Sequence, residues 1–290
     1  MSLAMIRDPD AETDRLAEAY AHADEMVRRL DKDRYLAALW APQDKRPHLM
    51  ALYAFSAEIA RIRDVVSDPL PGEVRARWWA DVIAGTRGDE GGGHPIAAAL
   101  LDTIARFRLP EEAFDRLIEA RIFDLYDDPM PTVTDLEGYL GDTASALVRL
   151  AAIVLADGRD LGGAEAAGHA GVAWGLTGLV RALPFHASQG QVFLPEDRMA
   201  AHGVSREQIL AGRTSPGLVA LLAEMRGRAR AALAETRRLI RSIPPECAPA
   251  FLVVCLVEPM LDRMDRPGWD PFRDPVDLPQ WRRQLRDRKS

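Results

Sequence analysis

Two stretches of the chain carry polar side chains at spacings that could hold a metal ion or a phosphate. Asp64 and Asp68 are four residues apart, and carboxylates at that spacing share one face of a helix. Such a pair could bind Mg²⁺, which prefers oxygen ligands. In the second stretch, Arg181 and His186 lie near the end of a predicted helix, and an arginine there could bind a phosphate without a metal.

Each of these residues also has a purely structural interpretation. Asp68 precedes Pro69, so it is expected to end its helix and face water. Asp64 can pair with Arg61, three residues earlier, as an ordinary solvated ion pair. A histidine after a helix end, such as His186, most often makes a structural hydrogen bond, with phosphate contact and acid–base work as the alternatives. Its imidazole is in any case a poor ligand for Mg²⁺.

The second stretch resembles the signature of the squalene/phytoene synthase family. Catalytic members of that family carry R-D-x-x-x-D, a few further residues, and then G-R-x-Y-L-P. The same frame here is R-A-L-P-F-H at residues 181–186 and G-Q-V-F-L-P at residues 190–195. The spacing fits without a gap, but Ala182 and His186 stand where the two aspartates belong. The resemblance therefore implies a second motif that has lost both carboxylates.

The first aspartate motif of the family begins a few residues after L-Y-A-F, which is present here as residues 52–55. Counted without a gap, the two motif positions are Ala60 and Asp64. A second frame, one helical turn later, would use Asp64 and Asp68. We prefer the ungapped frame because Glu58 also fits the residue that precedes the family motif, and this frame retains a single aspartate.

The resemblance implies an all-α, isoprenoid-synthase-type domain whose helices surround a central cavity. In catalytic members the two motifs face each other and hold Mg²⁺ ions, which bridge the diphosphate of an isoprenoid substrate. The residues predicted to line this pocket are Tyr53, Glu58, Arg61, Asp64, Arg181, His186 and Phe193. No metal or other cofactor is expected unless the chain is an active transferase, in which case Asp64 and Asp68 would be the metal ligands.

One branch of the family, which includes a mitochondrial complex I assembly factor, matches in more detail. The shared patterns include P-F-H-x-S at residues 184–188, V-F-L-P at residues 192–195, H-G-V-S at residues 202–205 and P-A-F-L at residues 249–252. That branch lacks the full aspartate motifs and is regarded as non-catalytic. The resemblance spans roughly residues 34–265. It implies an assembly or interaction factor that contacts respiratory-complex subunits or other assembly proteins.

Two other functions stay open at this point. The first is an active, Mg²⁺-dependent transferase that condenses two farnesyl or geranylgeranyl diphosphates head to head. It would use Asp64 and Asp68 with further carboxylates such as Glu58 or Glu196. The second is an isoprenoid or lipid carrier that keeps the apolar cavity without the chemistry. A product assay tests the first function, and lipid extracted from the purified protein tests the second.

Bulk composition narrows the class of protein. The 290 residues are 48% apolar and 28% charged, as in an ordinary globular protein, and the net charge of −7 argues against a nucleic-acid partner. Cys247 and Cys255 are expected to be buried free thiols. No signal pattern and no apolar run of about 18 residues is present. With the resemblance, this indicates the cytoplasm or the inner face of a respiratory membrane. The basic tail around Trp281 is expected to be a solvated helix end, with contact to anionic lipid as the alternative.

The elements that must position these residues are helices. Apolar residues recur at helical spacing, and the alternation typical of strands is scarce. Because no repeat or long linker interrupts the pattern, residues 1–290 are expected to form a single all-α domain with its core at about residues 34–265. The main predicted helices are residues 10–30, 46–66, 72–83, 96–107, 111–125, 134–155, 164–183, 216–243 and 249–264, with a glycine-rich loop at residues 88–93.

Overall fold

The computed structural model describes residues 9–278. Within that range the chain consists of helices and their connections without a β-strand, which confirms the all-α prediction. The basic tail around Trp281 lies outside the described residues. The α-helices are α1 Pro9–Leu30, α2 Lys32–Ala38, α3 Arg46–Ala60, α4 Ile62–Val65, α5 Pro69–Ile83, α6 Pro95–Phe107, α7 Glu111–Phe123, α8 Val133–Leu140, α9 Ala146–Leu155, α10 Ala164–Arg181, α11 Leu183–Ser188, α12 Glu196–Ala201, α13 Arg206–Leu210, α14 Pro216–Leu239 and α15 Val257–Met264.

Three 3₁₀ helices and one π-helical turn complete the helical segments of residues 9–278. The predicted glycine-rich loop is the 3₁₀ helix Gly88–Gly93, and the end of the predicted helix 216–243 is the 3₁₀ helix Ile240–Ser242. The apolar run of the predicted helix 249–264 lies mostly in the 3₁₀ helix Pro245–Leu256, ahead of α15. The π turn, Gly141–Ser145, joins α8 to α9.

Helix α10 lies at the centre of the packing. It runs along α14 and also contacts α9, the π turn and the Pro245–Leu256 helix, while α1, α3 and α6 pack together and α5 pairs with α7. One large hydrophobic cluster includes residues from nearly all of these helices. At its heart the ring of Phe55 lies 5.2 Å from that of Trp79 and 5.5 Å from that of Phe114. Edge-to-face contacts of this kind stabilise the core beyond the area they bury.

Two glycines allow α10 to lie against its neighbours. A Cβ on Gly171 would be 2.3 Å from the Cα and from the backbone N of Ser145, and one on Gly175 would be 2.4 Å from a methyl carbon of Leu140. Gly178 differs, because a Cβ there would meet no heavy atom within 4 Å. The small residues of this helix therefore permit a close helix contact at one end and leave open space at the other.

Pro184 follows the predicted helix 164–183 directly, and the structure places it at the start of another helix. Helix α10 ends at Arg181, and Pro184 lies inside the first turn of the separate helix α11. Proline is tolerated there because the first backbone N–H groups of a helix have no intrahelical acceptor. The consequence is that His186 sits on a short helix of its own.

The predicted helix 46–66 is also divided. It breaks at Arg61, and its second part, α4, ends at Val65. The helix predicted to start at residue 134 begins with a capping box, in which Thr132 and Asp135 exchange hydrogen bonds between side chain and backbone. A hydroxyl and a carboxylate three residues apart satisfy two N–H groups of the first turn in this way.

One continuous helical stretch among the described residues, Val133–Leu155, is long and apolar enough to cross a membrane. More than half of its most apolar window, 56%, is buried inside the structure. Leu147, Leu150 and Val154 are among its side chains in the hydrophobic cluster. These features are those of a core helix.

Candidate functional site

A cavity of about 270 Å³ lies beside α10, between α3 and α4 on one side and the α8 region and α11 on the other. We call it the central cavity. Its volume is just below the roughly 300–1,000 Å³ of typical ligand pockets, so it is small for two prenyl diphosphates. Its apolar walls include Leu140, Trp174, Leu179 and Phe193, and its charged or titratable lining includes Arg34, Arg63, Asp64, Arg121, Asp124 and His186.

The first-motif positions of the ungapped frame both lie on this cavity. Ala60, at the end of α3, and Asp64, in α4, are lining residues. Asp68 is not in the lining, and its backbone is extended (φ −124°, ψ 146°) just before α5. Because α4 ends at Val65, Asp64 and Asp68 do not share a helix face. The alternative metal pair requires Asp64 and Asp68 on one helix face, and that prediction is wrong.

The second-motif position 186 lies in an aromatic environment. The ring of His186 is 4.8 Å from that of Phe193 and 5.6 Å from that of Phe185. Its Nδ1 atom is buried without a hydrogen-bond partner among the described residues. Burial lowers the pKa of His186 to about 4, although a hydrogen bond with Gln191 opposes that shift. The imidazole is therefore neutral near pH 7, where a carboxylate would carry a negative charge.

A buried polar network forms part of the lining of the central cavity. Arg121 Nη1 donates to Asp124 Oδ2 at 3.0 Å and to the Tyr139 hydroxyl at 2.6 Å, and that hydroxyl donates to Asp124 Oδ2 at 3.0 Å. Gln191 Nε2 donates to the backbone carbonyl of Asp124 at 2.9 Å. Burial raises the pKa of Asp124, and the Arg121 guanidinium opposes that rise. The network joins α7, α8 and the segment that follows α11.

The other arginines of the cavity are also paired with protein carboxylates. Arg63 Nη2 donates to Asp127 Oδ2 at 2.9 Å, and Arg34 Nη1 donates to Asp31 Oδ2 at 2.7 Å. The Arg34 guanidinium also lies over the ring of Trp174, 5.9 Å from its centroid. An anionic ligand would have to compete with these carboxylates for the same arginine side chains.

Only three of the predicted pocket residues line the central cavity: Asp64, His186 and Phe193. Tyr53 is buried beneath Arg34, whose guanidinium is 5.8 Å from its ring centroid, and burial raises the pKa of Tyr53 to about 12. Arg181 lies 3.8 Å from both Asp33 Oδ2 and the Met260 sulfur, and it is not a lining residue. Glu58 and Arg61 line a different surface cavity, next to α5.

The donor set of the central cavity does not fit the magnesium site of catalytic synthases. Within residues 9–278 no group of three or more His, Cys, Asp or Glu side chains could hold a metal ion. Asp64 is the remaining carboxylate at the motif positions. The other carboxylate of the lining, Asp124, is hydrogen-bonded to Arg121 and Tyr139. Mg²⁺ requires oxygen ligands in near-octahedral geometry, and a neutral imidazole in an aromatic contact does not replace a carboxylate.

Several residues of the site could not be selected from the sequence. Arg121 and Asp124 are three residues apart, a helix-end spacing that could have indicated a pair, but spacing does not reveal Tyr139 or Gln191 as partners. No motif or spacing in the sequence indicates that Arg34 lines the cavity. Cys247 and Cys255 are not joined to each other by a disulfide, and Cys247 is buried while Cys255 is partly buried.

The family model for squalene/phytoene synthase matches residues 27–287. The chain belongs to the squalene/phytoene synthase family. Members similar to it include complex I assembly factor 6 of NADH dehydrogenase (ubiquinone) from Bos taurus, 32% identical over 248 residues, which cover 86% of this chain and 74% of that protein. Another is phytoene synthase from Thermus thermophilus, 30% identical over 257 residues, which cover 87% and 85% of the two chains.

Solved structures of the family confirm the isoprenoid-synthase type of fold. Squalene synthase HpnC from Alicyclobacillus acidocaldarius superposes with a TM-score of 0.74 at 24% identity, covering 89% of this chain and 97% of that one. A dehydrosqualene synthase reaches a TM-score of 0.81 at 19% identity, covering 96% and 97%. Because the family includes both synthases and assembly factors, membership alone does not decide between catalysis and assembly.

Proposed function

We propose that the chain is a non-catalytic member of the family that acts as an assembly or interaction factor for respiratory complex I. The observation that carries this proposal is the state of the motif positions. Ala60 and Ala182 offer no ligand, and His186 is neutral and packed against Phe193. Asp64 alone cannot hold the metal ions that neutralise a leaving diphosphate.

The relatives support the assembly role. Complex I assembly factor 6 sequences from Bos taurus and Homo sapiens are 32% and 30% identical to this chain over 248 residues. On this proposal the partners are complex I subunits or other assembly proteins, and no metal is required. The location is the cytoplasm or the inner face of a respiratory membrane, with peripheral contact.

Gene deletion with complementation tests the proposal. We expect the deletion to lower assembled complex I on native gels and NADH oxidation by membranes, while succinate oxidation is unchanged. The wild-type gene and the Asp64→Asn variant should restore complex I equally, because no metal chemistry at Asp64 is needed. Normal complex I in the deletion strain, or failure of Asp64→Asn to restore it, would count against the proposal.

A second candidate function is the binding of a single isoprenoid or other lipid. The observation that favours it is the apolar wall of the central cavity, formed by Leu140, Trp174, Leu179 and Phe193. Extraction of the purified protein followed by mass spectrometry should then release one lipid species in stoichiometric amount. Leu179→Trp, which fills the cavity, should abolish that release, and an empty wild-type protein would exclude this function.

A further inference from the structure

The most exposed large apolar side chains among the described residues lie together on α4 and α5. Leu70 is 69% exposed, Val74 is 62% exposed and Val65 is 55% exposed. Leu70, Val74 and the half-buried Trp78 are four residues apart, so they form one stripe along α5. At about 1.5 Å per residue, the stripe is about 12 Å long. We call these four residues, together with Arg61 and Arg75, the α5 face.

A surface cavity of about 420 Å³ adjoins the stripe at Trp78. Its apolar lining is formed by Ile62, Val65, Trp78 and Trp79, and its charged lining by Glu58, Arg61 and Arg75. The rings of Trp78 and Trp79 are 5.3 Å apart in an edge-to-face contact. This cavity is separate from the central cavity and shares no lining residue with it.

The charges of the α5 face differ from those of the central cavity. Arg34, Arg63 and Arg121 each form an ion pair with a carboxylate. Arg61 and Arg75 are exposed, and neither forms an ion pair with another described residue. Since Glu58 is the single carboxylate in the lining of this cavity, the lining carries a net positive charge on a chain whose net charge is −7. Glu90 lies beside the lining and accepts a hydrogen bond from the Trp78 ring N–H.

We propose that the α5 face docks an amphipathic helix of a partner protein that carries acidic side chains beside its apolar ones. The straight stripe of Leu70, Val74 and Trp78 suits the ridge of a second helix, and a large apolar side chain of that helix can enter the neighbouring cavity. Its carboxylates would pair with Arg61 and Arg75, which are positioned at the rim of this contact.

Two other occupants fit the same face less well. A flat anionic bilayer would meet more of the surface than the α5 face alone, and because the net charge of the chain is −7, repulsion from the surrounding surface opposes membrane contact through this face. A second copy of this chain in a two-fold contact would bring the same face, with the same unpaired Arg61 and Arg75, against itself. An acidic helix avoids both the repulsion expected at a bilayer and the contact of arginine with arginine expected in a two-fold dimer.

Assigning this helix to complex I assembly rests on the proposed function, whereas the binding of the helix does not. The two ideas can fail separately, because complementation after deletion decides the assembly role and peptide binding to the purified protein decides the docking face. A Val74→Ser variant that loses peptide binding but still restores complex I would place the assembly contact elsewhere.

Selection from a library of displayed random peptides against the full-length protein tests the proposal. Enriched peptides should carry apolar residues four apart with flanking Asp or Glu. Their affinity, read by fluorescence anisotropy, should fall at least about tenfold for the double variant Leu70→Ser/Val74→Ser and for Arg61→Ala/Arg75→Ala. Val219→Ser, at another exposed apolar position (43% exposed), is the matched control and should bind as the wild type does.

Four results would overturn the proposal. The first is that no peptide is enriched, and the second is that the enriched peptides bind the α5-face variants as tightly as the wild type. The third is that Leu70→Ser/Val74→Ser converts a dimer to a monomer in sedimentation equilibrium, since a second copy would then be the occupant. Binding to phosphatidylglycerol vesicles that the same double variant abolishes would equally assign the face to a membrane.

Discussion

At the residue scale, the surroundings of His186 favour a neutral side chain at this motif position. Its imidazole occupies a motif position at which catalytic relatives have a carboxylate, and it contacts the rings of Phe185 and Phe193. A protonated imidazole at that position would lose its hydration and would also be repelled by the Arg121 guanidinium, so the neutral form is favoured. Burial in that environment lowers the pKa of His186 to about 4.

The stability of the protein should depend on pH through its buried histidines. Burial lowers the pKa of His48 and of His186 to about 4, whereas an unfolded histidine titrates near 6.5. Between these values the unfolded chain binds more protons, so the free energy of unfolding decreases as the pH falls from about 6.5 to about 4. Urea denaturation at a series of pH values measures this decrease.

The variant His186→Phe isolates one of the two histidines. It keeps an aromatic ring in contact with Phe193 but cannot bind a proton, so its unfolding free energy should lose less between pH 6.5 and pH 4 than that of the wild type. His22→Asn, at an exposed position on α1, is the control. If His186→Phe and wild type show the same dependence on pH, His186 is not held neutral by burial.

The hydroxyl of Tyr139 should contribute measurably to stability. It accepts a hydrogen bond from Arg121 and donates one to Asp124, and all three groups are largely buried. Tyr139→Phe removes both bonds and should lower the free energy of unfolding by about 1–3 kcal/mol. Tyr126→Phe removes an exposed hydroxyl that contacts Glu73, and it should cost less than about 0.5 kcal/mol. Equal costs in urea denaturation would contradict the network.

At the scale of elements, two glycine variants within α10 test the close approach of this helix to the π turn. Gly171→Ala would force its Cβ against the backbone of Ser145 and should lower the free energy of unfolding by about 3 kcal/mol or more. Gly178→Ala meets open space and should raise it by about 0.5–1 kcal/mol, since alanine favours a helix. The opposite order of the two melting temperatures would refute the packing of α10.

The sequence predicts the type of most elements but not the breaks that decide the site. Helical periodicity places α3, α10 and α14 correctly, and the motif frame puts Ala60, Asp64 and His186 on one cavity. The break at Arg61 depends on tertiary packing, and it sends Arg61 and Asp64 to different cavities. The partners of Arg121 come from other elements, so no local spacing could identify them.

For the molecule as a whole, the fold separates two surfaces with different properties. The central cavity lies at the motif positions Ala60, Asp64 and His186, its arginines are paired with carboxylates, and its motif carboxylates are reduced to Asp64. The α5 face carries unpaired arginines and exposed apolar side chains. The proposed non-catalytic function predicts this distribution, because an exposed apolar surface with polar residues beside it is typical of a protein-binding site.

A product assay tests the absence of catalysis most directly. Purified protein is incubated with farnesyl or geranylgeranyl diphosphate and Mg²⁺ or Mn²⁺, with and without NADPH, beside an authentic synthase, and the products are identified by mass spectrometry. We predict no product above the level of the sample without protein. Formation of presqualene diphosphate, squalene or phytoene would contradict the non-catalytic function, because it would show that Asp64 and the remaining carboxylates support ionisation of the diphosphate.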